Sequence, residues 1–506
     1  MIRSVYFLFL LMSVLAAQGQ DVTFTNRYDP HDQLAGSFAY SIEVTDEGNY
    51  VVLFNAGYID WQDSIYWSSR AGSLFLAPNG VPLDTNRFDV PQKATYVGWC
   101  NASDKRSDGS IVTGGGTVGI DALNDACIYI TDPSGGLMQV IEILTPDQDQ
   151  IGRSIKSVAN GFVLCGGVVN AGNEDGFVMQ LDFDGNVDWE FHFGGIYNDG
   201  FTSIDSRPDS GFFTGGRYRI TATNREHWVV ALNDTGGTIW NKVWGGPYFD
   251  NLAHVTTSAD GNVLVGSARG LGTGNQVRKY IAKLHKDDGE ILWEYMYGPM
   301  NEGSFYPVKE VEPGGDLITV GYHIVAGVNR GLMMRTTSEG DSIWMRDYVY
   351  YDSLVSSGQG YLRDVQPTPD GGFIAVGTTF PVPDIYSQDV WVVKVDQYGC
   401  LEPGCHLITG METQITNMRD VLRVWPNPVQ AYGQVQVELE LPEHFKPQGQ
   451  LKLTITSNDG CFVHEETVPN SSTTSTLQLP QLASGLYHIH LSDASRLISG
   501  AKLVVE

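Results

Sequence analysis

Carboxylates are the most abundant chemically active side chains in this 506-residue chain. There are 59 Asp and Glu against 31 Lys and Arg, for a net charge of −28. One run sets them out as a cation loop would. Asp182, Asp184 and Asp188 are interleaved with Phe183, Gly185 and Asn186, an oxygen-rich spacing that suits Ca²⁺, a hard cation. No bidentate Glu follows at the distance such a loop needs. The equivalent positions elsewhere are Asp234-Thr235-Gly236-Gly237, Asp287-Asp288-Gly289-Glu290 and Glu339-Gly340-Asp341, which read as hairpin turns where Asp and Gly serve backbone geometry. Ca²⁺ at Asp182, Asp184 and Asp188 is thus one expectation and a plain turn the other; no other cofactor is called for. A second acidic set, Asp32, Asp149, Asp199, Asp250 and Glu302, precedes the first strand of successive repeats. In a ring these would gather at one mouth, to bind a cation or repel an anion, or each would cap its own turn.

Other chemistry has little purchase. No His-Glu-x-x-His zinc motif and no Gly-x-Ser-x-Gly nucleophile elbow occurs. Gly270-Leu271-Gly272-Thr273-Gly274 joins two strands, with no helix to offer its N-terminus to a phosphate. The eleven His are scattered; His488 and His490 share one strand face and are expected at the surface. A glycosidase needs two carboxylates across a cleft, and sequence does not place such a pair. No catalytic residue is assigned, and the ligand-binding residues stay unknown. No Lys/Arg-rich run is present, so nucleic acid and anionic membranes are poor partners.

The elements that must position these residues repeat. An apolar strand phrase opens at Gly48, Gly109, Gly161, Gly211, Gly261, Gly315 and Gly372, at spacings of 50 to 61 residues. Each is followed by a second apolar strand, an Asp/Gly turn and a further strand. Trp189, Trp240, Trp293 and Trp344 recur in the last of these, 51, 53 and 51 residues apart, as rings filling space between neighbouring sheets would. Such a period with about four strands per unit marks a β-propeller. The seventh unit lacks a fourth strand, and Val22-Thr23-Phe24-Thr25-Asn26-Arg27-Tyr28 is an orphan strand that would complete it and remove an open edge. The units resemble the bacterial seven-bladed β-propeller repeat family of extracellular proteins, over about residues 21 to 399. The resemblance implies a fold, not an activity.

The ends carry different information. Met1-Ile2-Arg3, an apolar run from Val5 to Leu15 and small residues at Ala16, Ala17 and Gly19 read as a signal peptide over 1–19. No later stretch is apolar enough for a transmembrane segment. Cys400 and Cys405 flank Leu-Glu-Pro-Gly, a turn that favours a small loop disulfide within a 400–420 linker. Cys100 and Cys127 lie in one repeat and could also pair; Cys165 reads as buried. From residue 421 to 506, short alternating strands read as a small β-sandwich. This tail resembles the C-terminal sorting domain of the type IX secretion system (Por secretion system). The resemblance rests on Trp425-Pro426-Asn427-Pro428, on Gly485 and Tyr487 within Ala483-Ser484-Gly485-Leu486-Tyr487, and on Lys502-Leu503-Val504-Val505. It implies two partners, the type IX machinery and its C-terminal signal peptidase. It also implies passage through the periplasm of a Gram-negative cell, to the outer-membrane surface or the medium.

The expected protein is therefore all-β, a seven-bladed β-propeller followed by a small C-terminal β-sandwich. It is an exported binding protein for an unknown glycan or protein. One alternative is an extracellular polysaccharide lyase or glycosidase with its site at the channel mouth. The other is a structural component of surface adhesion.

Overall fold

The structure is a computed structural model. It describes residues 22–506 except 31–35, 59–67, 120–122, 146–147, 171, 274–275, 301–302, 326, 351–358, 381–387, 403–404, 406–413, 416–420, 442–444, 448, 459–460, 472 and 494–495. The expected signal peptide, Asp32 and Glu302 fall outside these residues. Every regular element described is a β-strand. Residues 37–87, 94–143, 149–193, 200–244, 254–297, 303–348 and 360–395 form seven antiparallel sheets in chain order. In the second, the first strand is split into Ala94–Val97 and Ser103–Lys105, both pairing with Ile111–Val118. The seventh has three strands of its own, and its fourth is Phe24–Tyr28, paired antiparallel with Asp389–Val395. Arg27 holds this strand through an ion pair to Asp389 at 2.8 Å, and the Trp391 indole donates to Thr25 Oγ1 at 2.8 Å.

The sheets touch in sequence through their first strands, and the seventh (Gly360–Pro367) touches the first (Ser37–Val44). Buried side chains alternate along each strand and meet those of the next sheet. One core cluster joins Ile42, Val52 and Phe54 of the first sheet to Ile374, Val376 and Val392 of the seventh. The first strands are sheet edges, so their outer N–H groups need partners. Side chains of the neighbouring sheet supply them. Asp104 accepts from Ser157 N at 2.9 Å, Ser203 Oγ from Val255 N at 2.8 Å, Asp205 from Thr257 N at 2.7 Å and Asp364 from Ile42 N at 3.1 Å.

On the outer side a glycine and a ring form the joint. The hairpin after the third strand carries Gly236, Gly289, Gly340 or Gly399, all at positive φ. Each lies under the Trp of the preceding sheet. A Cβ added to Gly289 would sit 2.8 Å from Trp240 Cε3, and one on Gly399 would sit 2.9 Å from Trp344 Cη2. Gly236 meets Trp189 and Gly340 meets Trp293 in the same way. The Asp/Gly turn and the repeating Trp are thus two halves of one contact. Gly289→Ala, which combines left-handed strain with overpacking, is expected to cost about 1–3 kcal/mol in a denaturant titration.

Residues 422–505, with Gln414–Ile415, form two further sheets. Leu422–Trp425, Gln434–Leu439 and Thr473–Gln478 make one. Gln414–Ile415, Arg496–Val505, Gly485–Ser492, Leu451–Ser457 and Phe462–Val468 make the other, in that order. Val435, Val437 and Leu477 of one and Leu453, Ile455 and Ile489 of the other share a single core cluster. Cys400 and Cys405 form a disulfide with Cα atoms 5.7 Å apart, and both pack on Leu497.

Two expectations are corrected. Cys100 and Cys127 are free thiols, both buried. Cys127 lies on the third strand of its sheet, while Cys100 sits in the gap of the split first strand beside Arg363. His488 and His490 do share a face, but both are buried. Ile489 and Leu491 of their strand enter the sandwich core, and on the other face Glu402 of the disulfide loop lies beside His490 over Gly500.

Candidate functional site

The first strands do not run straight. In the first, third, fourth and seventh sheets one residue at the same place drops out of pairing: Tyr40, Arg153, Thr202 and Arg363. In the sixth, Tyr306 and Pro307 do so. A bulge re-aims its side chain, and here the re-aimed residues meet. The Arg363 guanidinium lies 4.7 Å from the ring centre of Tyr40, 4.5 Å from that of Tyr361 and 6.0 Å from that of Tyr306. Tyr306 packs edge-on against His254 at 5.3 Å. Burial, and then Arg363, depress that imidazole to about 3, so it is neutral.

Above this cluster, at the N-terminal ends of the first strands, opens a cavity of about 540 Å³. Arg225, Phe249, Tyr306, Tyr322, Tyr361 and Arg363 form its charged and aromatic wall, and Asn251 and Asn329 add amides. Among the described residues no Asp or Glu lines it. Arg225 stacks on Phe249 at 3.9 Å and donates to the Asp250 carbonyl at 2.8 Å and to Asn251 Oδ1 at 2.7 Å. Burial first, then Arg217 and Arg219, lower this guanidinium to about 9. Among the described residues neither Arg225 nor Arg363 forms an ion pair.

Beside it lies a buried acid pair. Asp250 Oδ1 accepts from Gly270 N at 2.7 Å. Asp250 Oδ2 and Glu226 Oε2 are buried without donors and both face Gly245. Burial, and then the Glu226 carboxyl, push Asp250 up to about 7. A raised folded-state value means stability fully present below the ordinary carboxylate range and lost as pH rises through about 7. Asp250→Asn is expected to remove this loss. Its melting temperature relative to the parent should rise between pH 5 and 8.

At the C-terminal ends of the same strands lies a second cavity, of about 460 Å³. It is built from charge pairs. Lys156 bridges Asp104 at 3.1 Å and Asp205 at 3.3 Å, and Lys309 pairs with Asp364 at 2.7 Å. Glu43 is different. It accepts from Ser103 Oγ at 2.7 Å and Gln366 Nε2 at 3.3 Å, and burial pushes its carboxyl up.

The residues singled out from sequence lie elsewhere. Asp182 Oδ1 accepts from the N–H of Asp184 at 2.9 Å and of Asn186 at 2.8 Å, closing a hairpin turn. Asp188 accepts from Gln180 at 3.2 Å, so the three carboxylates do not converge. Asp149, Asp199 and Asp250 each accept backbone N–H groups, from Asn124, from Gly195 and Arg219, and from Gly270. The tail motifs do come together. Asn427 donates to the Lys502 carbonyl at 2.6 Å and accepts from Val504 N at 2.9 Å. Gly485 pairs with Val505 and Tyr487 with Leu503. The Tyr487 hydroxyl donates to the Ala483 carbonyl at 3.0 Å. Trp425 is 42% exposed, and Pro426 and Pro428 are also exposed.

The aromatic–arginine cluster was not foreseen. Its residues are scattered over several repeats, and a bulge has no composition of its own. One signal was available: aligned on the apolar residue two places later, the position reads Tyr40, Arg153, Thr202, Tyr306, Arg363, variable and polar or aromatic inside a regular repeat.

The strands and the tail define the class: an all-β protein of many four-stranded sheets with a C-terminal sorting domain. Residues 423–506 match the family model described as "Secretion system C-terminal sorting domain". The type IX secretion system therefore handles the protein, to the cell surface or beyond. No helix among the described residues is long and apolar enough to cross a membrane. No curated protein matches significantly. Solved structures resemble it loosely. Sqt1 from Chaetomium thermophilum is 14% identical over 67% of this chain and 79% of its own, with a TM-score of 0.38. An α-L-arabinofuranosidase from Fusarium graminearum is 9% identical over 74% and 98%, also at 0.38. A GH32 β-fructofuranosidase from Bombyx mori is 9% identical over 93% and 87%, at 0.29. At these scores the likeness carries no argument about activity.

Proposed function

We propose that the chain is an exported ligand-binding protein. Residues 1–19 are its signal peptide. Residues 21–399 are a seven-bladed β-propeller closed by the strand at Phe24–Tyr28. Residues 400–420 are a linker, and 421–506 are a β-sandwich sorting domain in which Trp425, Pro426, Asn427, Pro428, Gly485, Tyr487 and Lys502 make the signal. The propeller is the cargo and the tail is its address. The observation that carries binding over catalysis is the composition of the 540 Å³ cavity, with Arg225, Arg363 and three tyrosines but no carboxylate among the described residues. Such a wall holds and orients a ligand and offers no acid–base pair.

A second reading rests on Glu43. A carboxyl held up by burial that lines one cavity with Asp104 and Asp205, both ion-paired to Lys156, stands in an environment unlike theirs, the asymmetry an acid–base pair requires. Incubation of the purified protein with a panel of oligosaccharides and peptides separates the two. Saturable binding with no new products supports binding. Products that vanish in Glu43→Gln support the enzyme.

A further inference from the structure

Among the described residues the two arginines of the 540 Å³ cavity have no ion-pair partner, and this narrows the ligand. A cation held in a concave, partly desolvated wall is costly unless an anion accompanies it. Most other basic side chains near the channel are matched: Arg153 and Arg217 with Glu174 at 2.5 and 2.7 Å, Lys309 with Asp364 at 2.7 Å and Lys156 with Asp104 at 3.1 Å. Arg225 and Arg363 are held instead by ring faces. Arg363 Nε is buried without a hydrogen-bond partner. Among the described residues the nearby acids make no ion pair with either arginine: Asp250 turns its carboxyl to Gly270 N and toward Glu226, His254 is neutral, and burial pushes the Cys100 thiol up to about 11. A net charge of −28 means that general surface attraction does not draw anions, so any anion bound here is bound locally.

The rest of the wall says what carries the charge. Aromatic faces suit the apolar face of a flat ring, while tyrosine hydroxyls and the Asn251 and Asn329 amides suit closely spaced hydroxyls. An extended peptide would use main-chain groups at a free strand edge. Here Tyr322 and Asn329 sit on strands paired on both sides, and the edge strands that carry Tyr306, Tyr361 and Arg363 pack against the neighbouring sheets.

We infer that this cavity binds an acidic saccharide, its carboxylate or sulfate taken by Arg225 and Arg363 and its ring laid against Tyr306 and Tyr361. The inference rests on the binding reading above and goes further in naming the ligand class.

Titration calorimetry on the full chain tests it, with four probes. These are a uronate-bearing oligosaccharide, a sulfated one, the neutral oligosaccharide of the same linkage and a Glu-rich peptide. At least one acidic saccharide is expected to bind at least tenfold more tightly than the neutral one, and which one tells carboxylate from sulfate. Arg225→Met and Arg363→Met should each bring that affinity down to the neutral level. Arg363 also packs three tyrosines, so Arg225→Met, which keeps its stem on Phe249, is the variant to rely on if Arg363→Met does not fold. Equal binding of neutral and acidic saccharides overturns the inference and leaves the binding reading standing. Preference for the peptide, or full affinity in Arg225→Met, also overturns it. Binding of none of the four overturns the cavity as a binding site altogether.

Discussion

A chain ending at residue 420 is expected to stay inside the cell, in the periplasm, with its ring folded. The effect on export should be all or nothing, because the truncation removes the whole address. The tail motifs are tied together although they lie some 75 residues apart in sequence. Asn427 is tied by its side chain to Lys502 and Val504, Val429 N donates to the Val504 carbonyl at 2.9 Å, and Tyr487 lies in register with Leu503. Folding should survive the loss, since among the described residues the ring's core clusters contain none beyond Leu401; what is given up is the contact of Leu497 with the disulfide, the pairing of Gln414–Ile415 with Arg496 and Leu497, and the approach of Gly500 to Glu402. Immunoblots of periplasm, washed cells and medium read the result. Truncated protein in the medium at the parent's level would show that the tail is not the address.

Asp364→Ala should be the most damaging single change in the ring, at about 3–5 kcal/mol, the range for breaking a buried pair. Asp364 is fully buried and serves three sheets. It pairs with Lys309 of the sixth at 2.7 Å, accepts from Ile42 N and Ser41 Oγ of the first at 3.1 Å each, and caps Val365 N of its own strand at 2.8 Å. Alanine leaves an uncompensated ammonium and an orphaned N–H where the seventh sheet meets the first. Asp364→Asn keeps a polar partner for the N–H and loses the ion pair, so it should fall between parent and alanine. Urea unfolding gives the ranking; a loss below about 1 kcal/mol for alanine would mean that this contact does not hold the ring closed.

What could be read in advance follows from what repeats. The strands, their Asp/Gly turns and the recurring Trp were legible because each is a local pattern copied through the chain. Even the Phe24–Tyr28 strand could be placed against the seventh sheet, since a missing member of a series is itself a signal. The cavity was not legible for the converse reason. Arg225, Tyr306 and Arg363 belong to three different repeats, and bulges that appear only in pairing register turn Tyr306 and Arg363 inward. The acidic residues drew attention in sequence because Asp is conspicuous. In the fold Asp182, Asp199 and Asp250 each spend at least one carboxylate oxygen on backbone N–H groups. His488 and His490 were misplaced because alternation tells which residues share a face but not whether another element covers it.

The central claim is that the propeller is exported cargo and the tail its removable address. Intact-mass spectrometry of the protein from spent medium and from washed cells tests it most directly. The account predicts an extracellular species that begins near residue 20 and ends between residues 400 and 420. A periplasmic protein that still carries Glu506, with none outside the cell, would contradict it.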